Sequence, residues 1–132
     1  MKITKADISV IDIPLKEPWI MARVQINNVV ALIIQLHTDD GLVGIGSARV
    51  GEGLTHENIE AMKSAAEIYI APALIGCDPI DINDWTERLK RALRRGYTIT
   101  KSGFEIALYD LIGKKMGRPL ADVLGGTWHK EV

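Results

Sequence analysis

Three histidines, a single cysteine and seventeen carboxylates are the groups in this sequence with the means to hold a metal or move a proton. His37 falls at the end of a strand-like segment, His56 in the first turn of a helix-like one, and His129 near the last residue. None has a partner at i, i+4 or stands in an H-E-x-x-H setting, so solvated histidines fit better than a zinc site. Cys77 alone excludes an internal disulfide and a multi-thiolate cage, and it agrees with a reducing cytoplasm. Asp7, Asp12, Asp39, Asp40, Glu52, Asp81, Asp84 and Asp110 offer oxygen donors, yet their spacing matches no calcium loop and most read as turn or cap residues. Asp110 differs. It sits between two apolar stripes of one helix, where a carboxylate needs a hydrogen-bonded or charged partner.

Two further patterns point to phosphate chemistry and fail on context. The run Gly41-Leu42-Val43-Gly44-Ile45-Gly46 inverts the order of a dinucleotide-binding fingerprint and lies inside a hairpin strand, not between a strand and a helix. Arg88, Lys90, Arg91, Arg94, Arg95 and Lys101 gather positive charge without interleaved aromatics, so they read as the solvated face of a helix rather than a nucleic-acid surface. The net charge of −1, with 25% charged and 47% hydrophobic residues, is that of an ordinary globule of one domain. No export signal is expected, because Lys5, Asp7 and Asp12 interrupt the first apolar run. No membrane span is expected either, since the longest apolar run, residues 29–34, is far too short.

The elements that position these residues divide into two sets. Alternating apolar and polar residues predict strands over 3–13, 29–37 and 42–48, with Asp40-Gly41 supplying two positive-φ positions for a tight turn between the last two. Residues 29–34 are apolar on both parities, which predicts cover on both faces of the sheet. From Thr55 the period becomes helical. Thr55 is the expected cap of a first helix carrying Ile59, Met62, Ala66 and Tyr69. Asp81 is the expected cap of a second, carrying Ile82, Trp85, Leu89 and Leu93 before Gly96. The third helix spans roughly 100–116, with its start open between Thr98, Thr100 and a capping box at Ser102-x-x-Glu105. Strands first and helices afterwards predict an α+β domain: a three-stranded antiparallel meander followed by three helices.

The third helix is apolar twice over. Phe104, Ala107, Leu108, Leu111 and Ile112 share one face, while Ile106, Tyr109, Gly113 and Met116 share a second, roughly opposite, which calls for a second partner. Residues 14–28 also hold two prolines, Pro14 and Pro18, and concentrate Trp19, Ile20 and Met21 just after them. This is either a loop that covers a ligand or partner, or a strand that pairs irregularly with its neighbour.

The stretch KSGFEIALYDLIGKKMGRPLADVLGG, residues 101–126, together with DDGLVGIGSA and APALIGCDP, resembles the N-terminal capping domain of the enolase superfamily. The likeness is to its mandelate racemase and muconate lactonizing branch, and within it to the muconate cycloisomerase subgroup. Ser47 departs from the glutamate that the family often shows after the G-x-G of the third strand. The resemblance covers essentially the whole chain and implies a domain over 1–126, with 127–132 starting the linker to a (β/α) barrel that this chain lacks.

In that family the chemistry is abstraction of a proton α to a carboxylate, with magnesium stabilising the enediolate. The bases and metal ligands belong to the barrel, so the resemblance implies no catalytic residue and no metal ligand here, and no turnover by this chain alone. It implies substrate selection by two loops, residues 16–25 and 48–54. Trp19, Ile20, Met21 and Arg23 would form one; Arg49, Val50 and Glu52 would belong to the other. Ile106, Tyr109, Gly113 and Met116 would face the barrel. The parent would be a cytoplasmic homo-oligomer using magnesium, with no nucleic-acid or membrane partner. The alternative is a stand-alone binding or assembly module that dimerises, or docks a separate barrel, through the third helix.

Overall fold

The computed structural model describes residues 1–22, 24–51 and 57–127. Three strands, β1 (Ile3–Ile20), β2 (Gln25–Thr38) and β3 (Val43–Arg49), pair antiparallel in the order β1-β2-β3. The helices follow: α1 (Ile59–Ala65), a π-helical turn (Ala66–Ile70) and α2 (Ala71–Leu74) as one continuous run, then α3 (Ile82–Ala92), α4 (Thr98–Met116) and the short α5 (Leu120–Val123). The α+β meander with three helical segments is therefore present, and α5 is one further turn.

Alternation on β2 turns Leu32, Ile34 and Leu36 toward the helices, where they pack with Met62, Ile70, Leu74, Trp85, Leu89, Phe104, Leu108 and Leu111. All five residues of the first apolar face of α4 are buried. The opposite sheet face departs from expectation. Cover there is partial: Ala31 is buried, but Ile13 and Ile45 remain about half exposed.

Several local expectations shift. β1 runs past Pro14 and Pro18 to Ile20, with a register shift between Pro14 and Trp19, because an edge strand tolerates missing N–H donors. The irregularly pairing strand is thus what residues 14–20 form. At the β2–β3 turn only Gly41 takes a positive φ (+83°) and Asp40 does not. The Gly41 N–H donates to Thr38 O (3.2 Å), with Asp39 and Asp40 between, so this is a longer turn closed by one left-handed glycine.

In the first helical run the π turn adds a residue ahead of Pro72, whose ring and missing N–H conflict with an α-helical register. Ile70 therefore reaches the core, and Tyr69, expected inside, is half exposed. The observed cap of α1 is Asn58, whose side chain accepts from Ala61 N–H (2.8 Å); Thr55 lies outside the described residues. Asp81 caps α3 as expected, accepting from Asp84 N–H (3.1 Å), while Ile82 of its stripe stays 40% exposed.

Candidate functional site

The first candidate surface is the tip of the β1–β2 hairpin. Trp19 stands opposite Ile26 and Ile20 opposite Gln25, and Met21 N–H donates to Val24 O (2.9 Å) to close the turn. Trp19 is 56% and Ile20 73% exposed, while Met21 is partly buried. β3 ends level with Ala31, which pairs with Arg49. The β1–β2 ribbon continues beyond that point to Ile26, about 17 Å further at the usual rise per residue. The ribbon carries two large apolar side chains into solvent, an arrangement that suits contact with something outside this domain.

The end of β3 lies at the same end of the sheet. Arg49 is exposed, whereas Val50 packs against the core and its N–H donates to Val30 O (3.1 Å). Arg23 and Glu52, also candidates, lie outside the described residues. Just beyond, Glu57 does something that local sequence rules missed. Its carboxylate accepts from the backbone N–H groups of Ile99 (3.1 Å) and Thr100 (3.1 Å) and from the Thr100 hydroxyl (2.7 Å). α4 begins at Thr98 after Tyr97 in a left-handed conformation (φ 53°), with no side-chain cap of its own. A remote carboxylate supplies the cap instead, and its negative charge suits the helix N-terminus.

The second face of α4 is divided. Ile106 and Met116 are about half exposed. Tyr109 is partly buried and meets Trp85 edge-on, with ring centroids 5.6 Å apart at 88°. Gly113 is buried under the turn into α5, where an added Cβ would lie 3.2 Å from Arg118 O. Between α4, β3 and α5 opens a groove of about 580 Å³, lined by Ile45, Ile106, Tyr109, Gly113 and Leu120 with Asp110, Lys114 and Arg118 among its polar groups.

The glycines of β3 explain how α4 comes so close to the sheet. A Cβ on Gly44 would lie 2.2 Å from Ala107 O, and one on Gly46 would lie 2.0 Å from Gly103 O. Helix and strand backbones thus touch directly, and Gly44 and Gly46 serve packing, not a phosphate. The close approach lets Asp110 accept from Ile45 N–H (2.8 Å) and from Lys114 Nζ (2.6 Å), while Lys114 also donates to Val43 O (2.7 Å). These are the partners that a carboxylate between two stripes requires.

The groups with chemical potential are otherwise engaged. Burial pushes the Cys77 thiol up to about 11, which keeps it protonated. His37, expected to be solvated, is only one-third exposed; its Nε2 lies 2.9 Å from a carboxylate oxygen of Asp7, whose pKa is lowered chiefly by the hydrogen bond from Lys5. His56 and His129 lie outside the described residues. In the basic run, Arg88 pairs with Asp84 (2.7 Å), Lys90 with Glu87 (3.0 Å), and Lys101 donates to Leu93 O. Among the described residues no group of three or more His, Cys, Asp or Glu side chains is placed to hold a metal ion, so the donor set for magnesium is not found there. No helix of the described residues is long and apolar enough to cross a membrane.

Comparison with known proteins agrees with this geometry. The profile of the family described as mandelate racemase / muconate lactonizing enzyme, N-terminal domain, matches residues 5–125. The chain is 28% identical to the N-succinyl-L-Arg/Lys racemase of Bacillus cereus, over 99% of this chain and 35% of that protein. The crystal structure of that racemase superposes with a TM-score of 0.93 over 98% of this chain. Muconate cycloisomerase 1 of Pseudomonas putida is 35% identical over 90% of this chain and 32% of its own length. The dipeptide epimerase of Enterococcus faecalis, solved with Mg and the dipeptide L-Leu-L-Tyr, is 31% identical, with a TM-score of 0.89 over 96% of this chain and 35% of that one. The chain spans about a third of the length of the relatives it matches. From Lys5 to Gly125, this sequence belongs to the mandelate racemase / muconate lactonizing enzyme N-terminal domain family.

Proposed function

We propose that this chain is the substrate-capping domain of a racemase, epimerase or cycloisomerase that removes a proton α to a carboxylate, and that it has no turnover alone. The observation that carries the reading is the hairpin tip, where Trp19 and Ile20 are more than half exposed on a ribbon that outreaches β3. An apolar tip of this kind gains by closing over a substrate and excluding water, which strengthens the electrostatic interactions at the reacting centre. The segments 16–25 and 48–54 are the selecting loops in this reading. Trp19, Ile20, Met21 and Arg23 contact the distal part of the substrate from one side, and Arg49, Val50 and Glu52 from the other. The groove beside Ile106 receives the (β/α) barrel, which supplies the base and the magnesium ligands, in a cytoplasmic homo-oligomer.

The test joins this chain to the remaining two-thirds of the Bacillus cereus racemase and assays racemisation with magnesium. The joined protein is expected to turn over N-acylated basic amino acids with an altered preference among acyl groups, and the 132 residues alone to be silent. Turnover by the chain alone, or a preference indistinguishable from the racemase, would sink the reading. A second reading, a module that dimerises through α4, draws on the exposure of Ile106 and Met116. It requires a dimer in sedimentation that Ile106→Asp dissociates.

A further inference from the structure

The edge of β3 is closed by a helix instead of a strand. Thr38 N–H donates to Leu42 O (3.0 Å) and Val50 N–H to Val30 O (3.1 Å), at the two ends of the β2–β3 ladder. With the register Leu36↔Gly44, Ile34↔Gly46 and Leu32↔Ala48, the even-numbered residues of β3 form the bonded pairs. The odd-numbered residues, Val43, Ile45 and Ser47, therefore turn their N–H and C=O groups to the free edge. A row of this kind is a template for another strand. Two of its groups are taken by α4: Asp110 accepts from Ile45 N–H, and Lys114 donates to Val43 O.

We propose that Asp110 and Lys114 act as a latch that mimics a neighbouring strand and closes β3 to pairing with a second copy of this chain. The pair is suited to the part. At i, i+4 the two side chains lie about one helical turn apart on α4. One acceptor and one donor then meet a strand N–H and C=O two residues apart, and the 2.6 Å bond between them fixes both. The glycine contacts at Gly44 and Gly46 hold the helix axis near enough for these side chains to reach.

The strand beneath is open to self-pairing. Antiparallel pairing of two β3 edges about a two-fold axis at Ile45 would set Val43 opposite Ser47 of the second copy. Ile45 N–H and C=O would then exchange bonds with their own counterparts. Val43 and Ile45 are β-branched, and Gly44 and Gly46 add no bulk on the other face, so nothing on β3 itself opposes this pairing. The opposition comes from α4.

The test uses the 132-residue chain. In the wild type, the Ile45 amide is expected to exchange with solvent as slowly as the ladder amides of Gly44 and Gly46, although it sits on an edge. In Asp110→Ala/Lys114→Ala that protection is expected to fall at low protein concentration by about tenfold or more. Sedimentation is then expected to show concentration-dependent dimerisation that restores it. Adding Ile45→Pro, which removes the edge N–H where an edge strand tolerates proline, is expected to return the double variant to a monomer. Should the double variant lose its circular dichroism signal, Lys114→Met, which keeps the side-chain stem, is measured in its place with the same expectations at smaller amplitude. A folded variant that stays monomeric at high concentration overturns the proposal. So does a dimer that survives Ile45→Pro, and so does a wild-type Ile45 amide that exchanges freely.

Discussion

Glu57 and Thr100, 43 residues apart, meet twice at one oxygen: Glu57 Oε2 accepts from the Thr100 backbone N–H at 3.1 Å and from its hydroxyl at 2.7 Å. The other carboxylate oxygen takes Ile99 N–H at 3.1 Å. The start of α4 is thus tied to a residue just ahead of α1, and the helix that seats on β3 is capped by a group outside its own sequence.

Glu57→Ala is expected to cost about 2 kcal/mol, because it orphans two helix-terminal N–H groups and a fully buried hydroxyl at once. Thr100→Val, which removes only the hydroxyl donor, is expected to cost about 1 kcal/mol. In the double variant the two losses should not add, since the residues share one interaction. Urea unfolding of the single and double variants measures this. A Glu57→Ala midpoint no lower than that of the exposed Glu60→Ala would show that the cap contributes nothing.

Two glycine positions separate packing from backbone strain. Gly46→Ala places a methyl group 2.0 Å from Gly103 O and 2.8 Å from Ala107 N, both backbone atoms of α4 that cannot swing aside. The expected loss is about 3 kcal/mol, at the upper end for overpacking. Gly41→Ala meets no atom within 4 Å and suffers only from its φ of +83°, for which about 1 kcal/mol is expected. Thermal denaturation that ranks Gly41→Ala as the more damaging would contradict the backbone contact between β3 and α4.

The β2–β3 turn carries a pH-dependent tie. Asp40 binds Lys115 at 2.7 Å and accepts from the Thr38 hydroxyl at 2.7 Å. These bonds, that of Lys115 foremost, hold its carboxyl at about 2 against an ordinary 3.8. A depressed carboxylate pKa stabilises the fold fully above the unfolded value and is lost as pH falls through the folded one. The tie therefore weakens between about pH 4 and pH 2. Lys115→Met is expected to lower stability at pH 6 and to flatten the decline over that window, with the Thr38 bond leaving a remnant. Equal slopes for variant and wild type in acid unfolding would show the tie to be idle.

What could be read in the sequence, and what could not, divides by distance along the chain. The buried stripe from Phe104 to Ile112 repeats at i, i+3 and i+4, so periodicity alone found it. That Asp110 needed a partner followed from the apolar stripes beside it. That the partner was Ile45 N–H, 65 residues away, did not. Capping rules look within four residues of the helix start and so point to Thr98, Thr100 or Ser102, whereas Glu57 lies far outside that window. Tyr69 and Ile70 exchanged roles because one extra residue in a π turn resets the helical phase, and Pro72 was the only local sign of it. At the candidate site, the concentration of Trp19, Ile20 and Met21 was legible. The pairing of Trp19 with Ile26, which makes the segment a projecting ribbon, needed the sheet register.

The tryptophans at 19 and 85 should respond in opposite ways. Trp85 is 2% exposed, donates from Nε1 to Pro79 O at 3.0 Å and braces Tyr109, so Trp85→Ala is expected to cost about 4 kcal/mol, as for other large-to-small core changes. Trp19 stands in water with one strand partner, and Trp19→Ala is expected to change stability by no more than about 0.5 kcal/mol. On the proposed capping role, its effect falls on selection. In the joined protein, Trp19→Ala should alter the ratio of kcat/KM between long and short acyl substrates by about tenfold, the worth of a methylene or two in an apolar pocket, while the unfolding midpoint stays in place. Such a shift without loss of stability separates a lid from a structural side chain. A Trp19→Ala variant that unfolds early, or whose substrate ratio is unchanged, would return the hairpin tip to the domain's own architecture.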